Sequence, residues 1–295
     1  MLERLFSDDI NPSDELYRIL RDEERYVKNK SYVENLWDTY KPYADRDFPK
    51  QLAQDFHARF WEMYLTCTLV HNSFNVVPKQ AKVYGPDVKI DHASTTIWVE
   101  AVTPESGDPS KPDSVPNLKM GVAQNVPDDR IILRYRSAIH DKYYGKYFRD
   151  LENGTIKNDD CYIIALNDCK IRHADREPPR IVRSVLPFGW QVVTVDTSSH
   201  KVVNQGFQYR AYLRKASGGK VDTDIFLKSE YNHISAVMFS NVDAANLPLA
   251  MGDDFIIIRN PLALRELPND FPQVGREYKA ELSQTTINLF SKNLS

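Results

Sequence analysis

Cysteine is scarce in this chain. The three residues, Cys67, Cys161 and Cys169, are an odd number and lack the close spacing of zinc ligands. They read as reduced, cytosolic thiols, which argues against a disulfide framework. No apolar stretch approaches the roughly 18 residues of a membrane span. The opening MLERLFSDD lacks the apolar run of a signal peptide. Both absences imply a cytoplasmic protein with no membrane partner. Charge of one sign is lacking too. The 38 Lys plus Arg against 41 Asp plus Glu leave a net charge of −3. That excludes a uniformly basic nucleic-acid coat, although a local basic groove stays open. Internal repeats and low-complexity tracts are absent. So are several catalytic signatures. No G-x-S-x-G elbow occurs, and the seven histidines show no H-E-x-x-H spacing. Gly218-Gly219-Lys220 has Val221 where a phosphate-binding loop needs Ser or Thr, and reads as a turn.

What is present suffices for a large core: 295 residues, 42% hydrophobic and 27% charged. No linker divides the chain, which implies one elaborated domain over 1–295. A helical extension takes up 1–45, with Ser13 as the first cap and an amphipathic helix through Tyr32, Leu36, Trp37 and Tyr40. A long helix follows over Gln51–His71, where Phe56, Phe60, Met63, Tyr64 and Cys67 recur at helical spacing. His57 and His71 flank it and read as structural. Phe74–Ile90 and Thr95–Val102 read as strands, and the proline-rich 103–127 as a loop. A helix capped by Asp128 or Asp129 runs to Leu151 and ends at Asn153-Gly154. Cys161–Leu166 is a buried-strand pattern, and Arg176–Pro187 an interrupted helix. Strand pairs over 192–213 and the apolar runs 234–240 and 255–259 supply the strands and elaborations of 167–295. The alternation predicts an α/β fold with a mixed central sheet flanked by helices.

Four polar residues sit on otherwise apolar elements. Glu62 falls beside Trp61, Leu65 and Leu69 on its helix, and a buried carboxylate needs a partner or a proton. Asp87 follows the chain-breaking Gly85-Pro86 at the start of a strand. Glu100 ends the Ile97-Trp98-Val99 run. If the two strands pair as a hairpin, the two carboxylates meet at one end of it. Their repulsion then calls for a cation or a shared proton. Oxygen ligands suit magnesium, which activates water and offsets charge on a phosphoryl oxygen. Lys142 shares a helix face with Ile131, Tyr135, Ala138 and Ile139, where an ammonium needs carboxylates to meet. Lys142, Lys146 and Arg149 with Arg134, Arg136 and neighbouring tyrosines make a basic, aromatic helix suited either to phosphate contacts or to a solvated face.

Gly85-Pro86-Asp87 followed by Trp98-Val99-Glu100-Ala101-Val102, with a Glu62-bearing helix before them, resembles the PD-(D/E)XK nuclease superfamily. The resemblance runs from about Gln51 to Leu166 and implies a restriction-endonuclease-like fold. It implies Asp87 and Glu100 as metal ligands, Glu62 as an auxiliary acid completing the shell directly or through water, and Mg2+ as cofactor, with Mn2+ able to substitute. The family's lysine belongs two residues after the Glu, where this chain has Val102. Arg134–Lys142 resembles the relocated-lysine helix of some relatives, and Lys89 is the reserve. The implied activity is phosphodiester hydrolysis on nucleic acid, DNA before RNA, as an endonuclease and in homodimeric form for duplex cutting. Arg134, Arg136, Lys146 and Lys89 would contact the nucleic acid. Two further readings stay open: an inactive binding module on the same fold, which Val102 would explain, and an assembly protein using the aromatic N-terminal helices.

Overall fold

The computed structural model of the chain describes residues 4–79, 84–119, 121–283 and 286–294. Helices α1 (Glu15–Asp22), α2 (Val27–Tyr40), α3 (Phe48–Leu52) and α4 (Phe56–His71) precede the first strands, β1 (Val88–His92) and β2 (Thr95–Val102). Residues 80–83 of the expected strand region 74–90 lie outside the described residues. Next come α5 (Asp128–Lys142), a π-helical turn at Tyr143–Tyr147, α6 (Phe148–Glu152), β3 (Cys161–Asn167) and α7 (Arg180–Val185). Then follow β4 (Phe188–Asp196), β5 (Lys201–Tyr209), β6 (Tyr212–Arg214) and β7 (Lys220–Asp222). The last strands are β8 (Ala236–Ser240), β9 (Ile256–Arg259), β10 (Arg276–Leu282) and β11 (Ile287–Asn293).

The fold is mixed α/β, with a seven-stranded central sheet in the order β1-β2-β3-β8-β9-β10-β11. β1 and β2 form an antiparallel hairpin, while β2, β3 and β8 run parallel. β3 is buried along its whole length, as a parallel strand covered on both faces must be. Its side chains alternate between two cores. Cys161, Ile163 and Ala165 join the α1–α4 residues, whereas Tyr162, Ile164 and Leu166 join those of α5 and α7. The Trp61 indole of α4 donates to the Ala165 carbonyl at 2.9 Å and pins that helix to the sheet.

Residues 1–45 do more than decorate this body. Leu5, Tyr17, Leu36, Trp37 and Tyr40 are buried in the same cluster as the sheet residues Val99 and Ile163. Each such side chain contributes about 1.5–3 kcal/mol. The cap of α1 is Asp14 and not Ser13: Oδ1 accepts the Leu16 and Tyr17 amides, and Oδ2 accepts the Phe56 amide at 3.0 Å. One carboxylate thus joins the starts of α1 and α4.

Asp128 does not cap α5 with its side chain either, and Pro127 occupies the cap position. Its oxygens instead accept Arg180 Nε at 2.6 Å and Arg183 Nη1 at 2.8 Å from α7, and both arginines are fully buried. The basic run 172–183 is therefore partly interior. The strand pair expected within 192–213 is present as β4 and β5. They leave the central sheet as a separate two-stranded ribbon, with Val192, Val193, Val195, Val202 and Val203 exposed. Its base is held by Arg210 on Asp129 at 2.7 Å and by Arg176 stacked 4.0 Å over the Trp190 ring.

Removing one member of a buried ion cluster leaves the others uncompensated. Asp128→Ala is therefore expected to destabilise the protein by about 3–5 kcal/mol in urea denaturation. A loss under about 1 kcal/mol would mean that Asp175 and backbone carbonyls suffice for the two arginines.

Candidate functional site

The hairpin register sets the geometry. Val88 pairs with Val99, so Asp87, one residue before β1, stands opposite Glu100. The Asp87 Oδ2 accepts the backbone amide of Ala101 at 2.8 Å, which holds this carboxylate beside the end of β2. Gly85 makes the approach possible. At φ +152° a Cβ there would meet Thr155 Cγ2 at 2.8 Å and the Trp98 ring at 3.5 Å. Glu100 points to the α5 side of the sheet along with Trp98 and is fully buried.

Two ammonium groups meet Glu100. Lys142 Nζ lies 2.5 Å and Lys146 Nζ 2.6 Å from its Oε1. Both lysines immediately precede an anchored tyrosine. Tyr143 stacks on Tyr231, and Tyr147 packs on Tyr162 with ring centroids 4.8 Å apart. The π turn Tyr143–Tyr147 buries these rings and aims the lysines at the acid. Oε2 of Glu100 is buried without a hydrogen-bond partner among the described residues.

Glu62 arrives from the opposite face of the sheet, on α4, and is 2% exposed. Tyr40 donates to its Oε1 at 2.7 Å and Arg59 to its Oε2 at 2.5 Å, with Lys79 Nζ at 3.8 Å. Glu62, Asp87, Lys142, Lys146 and Arg59 line one cavity of about 180 Å3 at the carboxyl end of β2. Burial raises the pKa of Glu62 and of Glu100, and the nearby Asp87 charge pushes both in the same direction. Arg59 and Lys79 oppose this at Glu62, as Lys142 and Lys146 do at Glu100. Burial also disfavours the charge on Lys146, but Glu100 outweighs it and holds that pKa above the usual lysine value.

The residues present fit magnesium in one form only. Magnesium is commonly held by one or two carboxylates and keeps several waters. Asp87 and Glu100, with an orphaned buried oxygen on the latter, supply such a pair. Among the described residues no three acidic, His or Cys side chains group closely enough to cage an ion. Glu62 as a direct third ligand is accordingly corrected: both its oxygens are taken by Tyr40 and Arg59.

The nucleic-acid contacts expected on α5 need correction too. Arg136 is 3% exposed, donates to the Asp222 carbonyl at 2.7 Å and lies against the Tyr231 ring, so it is a core residue. Arg134 Nε is engaged by the Glu105 carbonyl at 2.7 Å. Lys146 sits on Glu100 and not on an open helix face. Lys89 does not reach the acids. Its ammonium lies 3.5 Å from Asp91 and 5.6 Å from the centre of the Trp98 ring, in a second cavity. Val102, at the expected lysine position, packs against the α5-side core. Arg59 escaped the sequence reading, although its position three residues before Glu62 was the available signal.

A second polar cluster went unread. At the carboxyl end of β3, Asp168 is 6% exposed and accepts the Tyr135 hydroxyl, and Cys169 Sγ lies 3.3 Å from His57 Nδ1. Burial raises the Cys169 thiol and lowers His57, which disfavours the thiolate–imidazolium pair a nucleophile needs. Cys67 and Cys161 are buried free thiols, and burial pushes Cys67 up to about 12.

No known family model matches the chain, and no curated protein or solved structure is significantly similar to it. No helix among the described residues is long and apolar enough to cross a membrane.

Burial pushes Asp168 up to about 7. The folded protein therefore holds a proton that the unfolded chain has already released, and stability falls as pH rises from the usual aspartate range through that value. Asp168→Asn keeps an acceptor for Tyr135 without a charge. Its melting temperature relative to wild type is expected to climb between about pH 4.5 and about pH 7.5. A pH-independent difference would show that Asp168 titrates normally.

Proposed function

We propose that the protein is a magnesium-dependent phosphodiesterase acting on nucleic acid, most simply a DNA endonuclease of the restriction-endonuclease-like kind. One observation carries this reading: Asp87 lines a cavity with Lys142, Lys146 and Arg59, and both lysines reach from it to the other carboxylate of the hairpin, the buried Glu100, whose second oxygen is unpartnered. The element order around it, from helix α4 through the β1–β2 hairpin and helix α5 to strand β3, supports the same family likeness.

In this reading Asp87 and Glu100 hold the ion. Bound there, magnesium would lower the pKa of water and offset charge on the phosphoryl oxygens. Lys142, shielded at the floor of the cavity, orients the attacking water and stabilises the developing negative charge. Arg59 meets the phosphate oxygens, while Lys146 stays on Glu100 and holds that carboxylate in place. Glu62, already held by Arg59 and Tyr40, positions Arg59 and does not ligate. Cutting both strands of a duplex requires two such sites, which a homodimer would supply. Mn2+ fits the same oxygen donors.

The other reading is a binding module without turnover. Its support is Val102 at the family's lysine position together with the engagement of both displaced lysines on a single Glu100 oxygen.

Incubation of plasmid and single-stranded DNA with Mg2+ or Mn2+ separates the two. Cleavage is expected, abolished by EDTA and by Asp87→Ala, and slowed about 10²–10³-fold by Lys142→Met. Salt-sensitive DNA binding with no cleavage in either metal would replace the enzyme by the module. Cleavage unchanged in Asp87→Ala would discard the site.

A further inference from the structure

A larger cavity, of about 640 Å3, adjoins the acid pair, and Asp87 lines both spaces. Its lining differs in kind from the small one. Trp98 forms part of the wall, with its indole nitrogen turned away to Asp160 at 2.9 Å, so the polar edge is already satisfied. Lys89 reaches over that ring. Tyr84 stands at the rim with 82% of its surface exposed, and Asn153 and Thr155 add polar groups. The space falls within the ~300–1,000 Å3 of small-molecule sites, far more than a phosphate needs.

Resting on the phosphodiesterase reading, we propose that this cavity receives an unstacked nucleobase and its sugar next to the phosphate held at Asp87 and Glu100. The substrate is then single-stranded DNA, or a strand locally freed from its complement. A base inside a continuous duplex is covered on both faces by its neighbours and cannot enter a pocket without leaving the stack. A free strand pays no such cost. Aromatic rings flanked by lysines are what sequence-tolerant recognition of single strands uses. Here the exposed Tyr84 offers its ring face to a base, Trp98, 5% exposed, closes the wall, and the ammonium groups take the backbone. Lys79 and Lys89 on one side of Asp87, with Lys142 and Lys146 on the other, provide cations across both cavities. Asn153 and Thr155 offer hydrogen bonds to a base edge that a paired base would not have free. One copy of the chain suffices for such a substrate.

The test is fluorescence anisotropy of the full chain in EDTA. The probes are a fluorescein-labelled single-stranded oligodeoxynucleotide and the blunt duplex of the same sequence. Single strand is expected to bind at least about tenfold more tightly than duplex, and Tyr84→Ala to weaken it about fivefold or more. Lys89→Ala is expected to weaken it and to flatten the salt dependence. Tyr84 is exposed, so its replacement leaves the core intact. Trp190→Ala on the β4–β5 ribbon, whose residues line neither cavity, controls for exposed aromatic surface. Equal binding of the two probes, or a Tyr84→Ala variant bound as tightly as wild type, overturns the proposal. With Asp87-dependent cleavage intact, either result would leave the phosphodiesterase reading standing. Strand-selective, Tyr84-dependent binding without metal-dependent cleavage would retain the base pocket and reject the enzyme.

Discussion

A carboxylate with no exposed surface has to be neutralised, and the arrangement around Glu100 follows from that requirement. The acid lies near the end of a strand that is itself covered on both faces. Leaving water costs an ion several kcal/mol, which only close opposite charge and good geometry offset. Lys142 and Lys146 bring that charge to one oxygen of the pair. They reach it from the end of α5 and from the π turn, and the buried tyrosines beside them hold that segment in place. The second oxygen stays without a partner. A buried acceptor left unpaired is costly.

The same logic applies at Glu62, from the opposite side of the sheet. Its charge is met by Arg59 and a tyrosine hydroxyl, with Lys79 farther off. Two buried acids are each compensated by two cationic groups, and the cavity of about 180 Å3 that Glu62 lines is also lined by Lys142 and Lys146, the partners of Glu100. Arg59, Lys142 and Lys146 at this cavity are matched by Glu62, Asp87 and the Glu100 that both lysines meet.

The sheet supplies the rigidity this needs. Parallel β2, β3 and β8 end at one edge, where the Asp87–Glu100 pair and the Asp168–Cys169 cluster lie at neighbouring strand ends. Loops at the carboxyl ends of parallel strands are the usual place for ligands, because the strands fix positions while the loops vary freely. The acids are held from both faces, through Trp61 on the Ala165 carbonyl and through the tyrosines of the π turn. The exposed valine ribbon of β4 and β5 sits outside this framework.

Local patterning by itself determined the α/β class, the long helix bearing Glu62, the hairpin that faces Asp87 with Glu100, and the helix that delivers Lys142. Each is a matter of periodicity or of a chain break, and these act over a few residues. Tertiary structure alone decided the rest. Arg134, Arg136 and Lys146 are alike in the sequence as basic residues on one helix. Packing sends one to a loop carbonyl, one into the core and one to Glu100. The departure of β4 and β5 from the sheet, the part played by Arg59, the elevation of Asp168 and the large cavity beside Asp87 were equally out of reach. All of these depend on which distant segment lies opposite, and burial and charge compensation are properties of the assembled interior, not of neighbours along the chain.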